Sequence, residues 1–197
     1  MTKVFCNVQL AVTISGLKES MRLAENVLDY ITTHDMIVMR RCNNWMAPRW
    51  IRLWMICATR GGDGWLWYAI LSGVLLFGGE DRFRAAGAAF LAGAVGIWVF
   101  LVLKKAANRP RPCAISGHAW ATLLPPDRFS FPSGHTMTAF AVTTPLMAYY
   151  PDLSLGLTFC AVSIAGSRIM MGMHFLSDVV AGGLLGALLG YLSMAVI

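Results

Sequence analysis

The sequence predicts an all-α integral membrane protein. We expect a helical bundle of about five transmembrane helices, or six if the N-terminal region hides a further crossing, preceded by helices lying on the membrane surface. Three observations lead there. Of 197 residues, 57% are hydrophobic and only 13% are charged, where a soluble domain carries about 25% charged residues. The apolar residues gather in runs of membrane-spanning length, separated by short polar stretches. The basic residues, which give a net charge of +6, sit at the ends of those runs rather than on a solvated face. That placement argues against nucleic acid and for anionic headgroups or a phosphorylated partner in the bilayer.

The length fits one membrane domain, residues 61–197, behind an N-terminal amphipathic region, residues 1–60. Residues 4–17 are mildly apolar and no convincing cleavage site follows them, so no signal peptide is read. Over residues 19–41, apolar side chains recur at Met21, Ala24, Val27, Leu28 and Ile31 with charges between them, a helical period with a polar face. Trp45, Trp50 and Trp54 alternate with Arg49, Arg52 and Arg60, a composition suited to the headgroup level. Surface helices are the main reading here, beside a soluble helical cap or a poor first span.

The first clear span has its core at Trp65–Phe77 and is expected to begin near Gly61. A turn at residues 80–84 leads to the second span, 85–103, rich in small residues that let helices approach. A polar loop, 104–133, carries Pro110, Pro112, Pro125, Pro126 and Pro132; a loop of that length is usually functional. The third span is 135–150, the fourth 153–173 and the fifth 175–197. Alternating crossings would put residues 104–112, 132–135 and 167–178 on one face of the membrane.

Those three segments carry the polar chemistry. Lys104 and Arg111 can converge on one anion, the lysine as a point charge and the arginine as a planar fork, while Pro110 and Pro112 stiffen the chain between them. A basic stretch that only sets topology is the alternative. In Pro132-Ser133-Gly134-His135, Ser133 can cap a helix whose free N–H groups bind anions. Gly134 allows close backbone approach, and His135 can give up a proton; an ordinary capped helix start is the alternative. His174 and Asp178 are four apart and share a side if the segment is helical, so the carboxylate can orient the imidazole as a nucleophile. Arg168 adds a phosphate ligand, or pairs with Asp178 in a purely structural bridge. The five cysteines, Cys6, Cys42, Cys57, Cys113 and Cys160, show no paired metal-ligand spacing. No metal site and no cofactor are expected.

Taken together, the segments resemble the three signature motifs of the type-2 phosphatidic acid phosphatase superfamily, whose members include bacterial acid phosphatases and vanadium haloperoxidases. Lys104 with Arg111-Pro112 resembles the first motif, Pro132 to His135 the second, and Ser167-Arg168, His174 and Asp178 the third. The resemblance covers roughly residues 60–195. It implies that His174 attacks phosphorus and forms a phosphohistidine, that Asp178 orients it, and that His135 protonates the leaving group. It also implies that Lys104, Arg111 and Arg168, with Ser133 and Gly134, hold the phosphoryl oxygens without a metal. Arg109, which the motif does not require, can assist at the rim.

The function expected from this resemblance is hydrolysis of a membrane lipid phosphate or diphosphate, with a lean toward undecaprenyl diphosphate. Phosphatidic acid and phosphatidylglycerol phosphate are the other substrates weighed. A phosphotransferase to a lipid or sugar acceptor and a non-catalytic membrane scaffold are the alternative functions. The expected location is the bacterial inner membrane with the site toward the periplasm. Arg40, Arg41, Arg49, Arg52 and Arg60 on the same side argue the other way, because excess arginine favours the cytoplasm.

Overall fold

A computed structural model describes the backbone of residues 2–115 and 128–197 and the side chains of residues 18–115 and 128–197. Pro125 and Pro126, read above as part of a functional loop, lie outside the described residues, as do the side chains of residues 4–17. Among the described residues all regular structure is helical. The chain forms two units, Met1–Ile37 and Val38–Ile197. The first consists of the larger part of one long helix, α1 (Thr2–Asn44). Along it Met21, Leu23, Val27 and Leu28 are exposed, and His34 Nδ1 donates to the Tyr30 carbonyl at 2.9 Å.

The second unit holds α2 (Arg49–Gly61), α3 (Trp65–Phe77), α4 (Arg82–Ala107), a single turn α5 (Pro112–Ile115), α6 (Gly134–Tyr149), α7 (Ser154–Met170) and α8 (Leu176–Met194). The all-α class agrees with the sequence; the number of spans does not. Among the described residues three helical segments are long and apolar enough to cross a bilayer: Gly79–Ala107, Pro151–Met170 and Leu176–Met194. The expectation of about five transmembrane helices, or six, is therefore corrected to three.

The reason lies in the turns. The first expected span cannot run back to Gly61, because Gly64 has φ 125° and breaks the chain there, and Gly79 has φ 67° just beyond its end. What remains, α3, has 13 residues and reaches about 20 Å at the helical rise, against about 30 Å of hydrocarbon. The expected third span, 135–150, forms as α6 at the same length, 16 residues, which reach only about 24 Å. Pro132 precedes it, and Pro151 disfavours helical backbone at Tyr150. The shared face of the three motifs, argued above from five crossings, rests instead on the contacts described below.

Helix α6 is the centre of the unit. It packs against α4, α7 and α8 and buries Ala139, Val142 and Leu146 in one apolar cluster with Trp67, Val74, Ala85, Ala89, Leu157 and Ile164. Its seam with α8 is made largely of backbone. A Cβ on Gly182 would meet the Ser133 carbonyl oxygen at 2.7 Å, one on Gly186 would strike the Met137 carbonyl, and one on Gly190 would meet Thr144 Cβ at 2.7 Å and the Ala141 carbonyl at 2.8 Å. Glycine every fourth residue thus lets the two helix axes approach more closely than any side chain permits. Helix α2 buries Met55 against Ala47, Ile51 and Met170, and Trp54 stacks on Phe159 with ring centroids 5.5 Å apart.

Candidate active site

The ends of α2, α4, α6 and α7 converge around a cavity of about 360 Å³. Its lining includes Lys104, Arg111, Gly134, His135, Arg168 and His174, so six of the nine residues singled out from the sequence face one space. Asp63, Tyr68, Phe100 and Thr138 complete much of the wall.

Each side chain is held by a local device. Helix α4 ends at Asn108, which adopts the left-handed conformation (φ 47°), a common helix stop. Lys104 in its last turn is buried, its Nζ lying 4.6 Å from the centre of the Phe100 ring. Phe100 in turn presses on Gly134, where a Cβ would meet the ring at 3.0 Å. Gly134 is thus required by Phe100 as well as by any ligand approaching the helix start.

Beyond Asn108 the two flanks of the polar loop pair with each other. Pro110 and Phe129 form an isolated antiparallel bridge, and the Ser130 N–H donates to the Arg109 carbonyl at 2.8 Å. Ser130 Oγ donates to the Pro110 carbonyl at 3.1 Å. This clasp aims the Ser130 carbonyl at His174, whose Nδ1 donates to it at 2.6 Å. A carbonyl can only accept, so Nδ1 carries the proton, and in the neutral imidazole the lone pair belongs to Nε2. Arg111 Nη1 stands 3.4 Å from Nε2 and donates to the Met173 carbonyl at 2.9 Å. Burial lowers the His174 pKa from 6.5 to about 4. Arg168 and Arg111 push the same way, against Asp178.

Asp178 does not hold His174 by a hydrogen bond: its Oδ2 is 3.8 Å from Nδ1. The segment is not one helix, as the four-residue spacing had suggested. Helix α7 ends at Met170, Gly172 turns the chain at φ 64°, and α8 starts only at Leu176. Asp178, fully buried, accepts from the Phe175 N–H at 2.8 Å and from Arg109 Nη1 at 2.7 Å. Its own carbonyl accepts the Ser133 N–H at 3.0 Å, which ties α8 to the start of α6.

Three expected site residues therefore lie behind the wall: Asp178, Ser133 and Arg109. Ser133 is buried with its Oγ 2.9 Å from Thr136 Oγ1. Arg109, expected at the rim, reaches inward to Asp178 and to Ser177 Oγ, each at 2.7 Å, with its guanidinium 4.2 Å from the centre of the Phe175 ring. The alternative pairing of Arg168 with Asp178 is not what forms. Arg168 Nη1 donates to Thr59 Oγ1 at 3.4 Å, Thr59 donates to Ser167 Oγ at 2.7 Å, and Ser167 donates to the Ile164 carbonyl at 2.7 Å. A file of hydroxyls thus anchors the arginine to α2.

Sequence reasoning missed Thr59, Asp63, Phe100 and Ser130. Asp63 Oδ1 lies 2.8 Å from His135 Nε2; an acid set between glycines ahead of an apolar run was the available signal. Burial and the Arg168 charge lower the His135 pKa, while Asp63 opposes them. Ser130 acts through its carbonyl, for which side-chain identity gives no signal. Among the described residues no group of three or more His, Cys, Asp or Glu is placed to hold a metal ion.

Comparison with known proteins agrees with the family resemblance. Residues 85–197, more than half of the chain, match the family model of the PAP2 superfamily. A decaprenylphosphoryl-5-phosphoribose phosphatase of Mycobacterium tuberculosis is 34% identical over 131 residues, covering 64% of this chain and 68% of that protein. A lipid A 1-phosphatase of Rhizobium johnstonii is 27% identical over 147 residues. That match takes in 64% of this chain but only 59% of the relative's length. Among solved structures, Aquifex aeolicus LpxE superposes with a TM-score of 0.70 at 27% identity, covering 81% of this chain and 94% of that one. With three helices suited to crossing a bilayer, the chain is a multi-pass membrane protein.

Proposed function

The chain belongs to the PAP2 superfamily, and from that premise we propose that it is a metal-independent lipid phosphatase working through a phosphohistidine on His174. The observation that carries this reading is the Ser130 clasp on Nδ1, which leaves Nε2 as the nucleophilic nitrogen in a cavity walled by Lys104, Arg111 and Arg168. A depressed imidazole pKa keeps the lone pair available at neutral pH.

The lipid tail stays in the bilayer while its phosphate enters the cavity. The three cations and the free N–H groups at the start of α6 hold the non-bridging oxygens and stabilise charge as it develops. Nε2 attacks phosphorus; the P–N bond forms as the P–O bond to the lipid breaks, and His135 gives its proton to the leaving oxygen. Water then attacks the phosphohistidine and loses a proton to His135, the P–N bond breaks, and phosphate departs. Asp178 stabilises the positive imidazole ring at 3.8 Å rather than by direct bonding.

The sequence leaned toward undecaprenyl diphosphate. The relatives named above act, by their names, on lipid A and on a decaprenyl phosphoribose phosphate, so the reading we adopt is a bacterial lipid phosphate as a class. We place the protein in the inner membrane with its site toward the periplasm; an impermeant label on a cysteine introduced at Arg60 reads that side directly.

The test is phosphate release by the purified protein in detergent with EDTA, on phosphatidic acid, phosphatidylglycerol phosphate and undecaprenyl diphosphate, beside His174→Ala. Release that disappears in the variant supports the reading. Release that persists in His174→Ala, or requires a metal, overturns it.

A further inference from the structure

Asp63 is the one carboxylate among the described residues that line the cavity, in a wall otherwise charged by cations. Its Oδ1 lies 2.8 Å from His135 Nε2. The turn that carries it is pressed against the same ring: a Cβ on Gly62 would meet His135 Cδ2 at 3.0 Å and Ile164 Cγ2 at 3.1 Å. Arg60 approaches the other oxygen, Oδ2, but only to 3.7 Å, and its side chain is 60% exposed, so solvent screens most of its charge. The Asp63 side chain, itself 43% exposed, thus has its nearer contact with the proposed leaving-group acid rather than with Arg60.

The consequence depends on what leaves. When a phosphomonoester is cleaved, the leaving group is an alcohol, which needs a proton and is neutral once it has one. Its neighbouring hydroxyls or amines can donate to Asp63. When a diphosphate is cleaved, the leaving group is itself a phosphate. It departs as an anion without needing the proton, and it would carry its charge against Asp63. We infer that Asp63 makes this site selective for lipid phosphomonoesters over lipid diphosphates, by holding His135 toward the leaving oxygen and by repelling a charged leaving group. The inference rests on the phosphatase reading above and narrows its substrate class away from undecaprenyl diphosphate.

The test uses the full-length protein in detergent with EDTA and two substrates on one tail, diacylglycerol phosphate and diacylglycerol diphosphate. Initial rates of both are measured on each preparation of wild type, Asp63→Asn, Asp63→Ala and Asp63→Glu. Because partial unfolding scales both rates alike, the ratio of the two kcat/KM values reports on the site itself. Wild type should favour the monophosphate. The neutral variants should lose about tenfold on the monophosphate, less than the roughly 10²–10⁴-fold of the whole proton transfer, because Asp63 positions the acid and His135 remains. On the diphosphate they should hold or gain up to about tenfold, the scale of one screened charge contact. Asp63→Glu should keep the wild-type preference. A ratio that is the same in wild type and both neutral variants, or a wild type that favours the diphosphate, overturns the inference. No release from either substrate by wild type would instead overturn the phosphatase reading on which it stands.

Discussion

Replacing Arg109 should damage the folded state more than it weakens substrate binding. Asp178 is 0% exposed and shares its charge with one backbone N–H and Arg109 Nη1, the latter at 2.7 Å; the arginine side chain is 25% exposed. Two unit charges about 4 Å apart interact by about 4 kcal/mol at an effective dielectric of about 20. Partial exposure of Arg109 reduces that to about 2 kcal/mol. Arg109→Gln alone should cost about 3 kcal/mol, because it strands a buried carboxylate. In an Asp178→Asn background the same change should cost about 1 kcal/mol, since the surviving loss is a neutral hydrogen bond and the packing on Phe175. The assay is a double-mutant cycle on unfolding in detergent, read beside KM and kcat. A coupling energy below about 0.5 kcal/mol, with only KM raised, would mean that Arg109 acts at the rim and that the inward ion pair is wrong.

Three further outcomes follow from the geometry. His174 binds its proton more weakly folded, with a pKa of about 4, than unfolded, at 6.5. Its contribution to stability is therefore complete above about pH 6.5 and is lost as pH falls toward 4; melting curves of wild type should show this slope and those of His174→Ala should lack it. Gly186→Ala should cost about 1–3 kcal/mol and reduce turnover, because the new Cβ meets the Met137 backbone, whereas Gly156→Ala, with nothing within 4 Å of its Cβ, should be neutral or stabilising in the same melt. Thr59→Val should remove the hydroxyl between Arg168 and Ser167, cost about 1–3 kcal/mol, and raise KM more than it lowers kcat in steady-state kinetics.

Much of the site could be read from residue types, and the reason is electrostatic. Lys104, Arg111, Arg168 and His174 are expensive beside apolar spans unless they meet a purpose, so their presence was itself a signal. The parts that escaped the sequence have no such cost. Ser130 contributes a carbonyl, and every residue has one. Thr59 is a small hydroxyl among apolar neighbours on α2. Arg109 looked like a spare cation because nothing in its spacing says that Asp178 lies 2.7 Å away across the fold. The span count erred for a different reason. Hydropathy measures how apolar a run is, whereas crossing depends on the length of unbroken helix, and the glycine at 64 cuts short a span expected to begin near Gly61. Orientation was harder still, since the same arginines can serve lipid, substrate or topology.

The glycine seam between α6 and α8 has a bearing on how such a protein can change. Where a Cβ on Gly182 or Gly186 would meet only the backbone of Ser133, Met137 and Ala141, no side chain stands in the way to rearrange, so the seam admits almost no drift and the start of α6 is locked to α8. At Gly62 and Gly134 the facing atoms include the side chains of Ile164 and Phe100, which can be exchanged together with their neighbours. The molecule thus divides into a chassis that resists alteration and an adjustable wall formed by the α2–α3 turn and the end of α4. New preferences would be acquired by editing that wall, with the reacting nitrogen and its cations left in place.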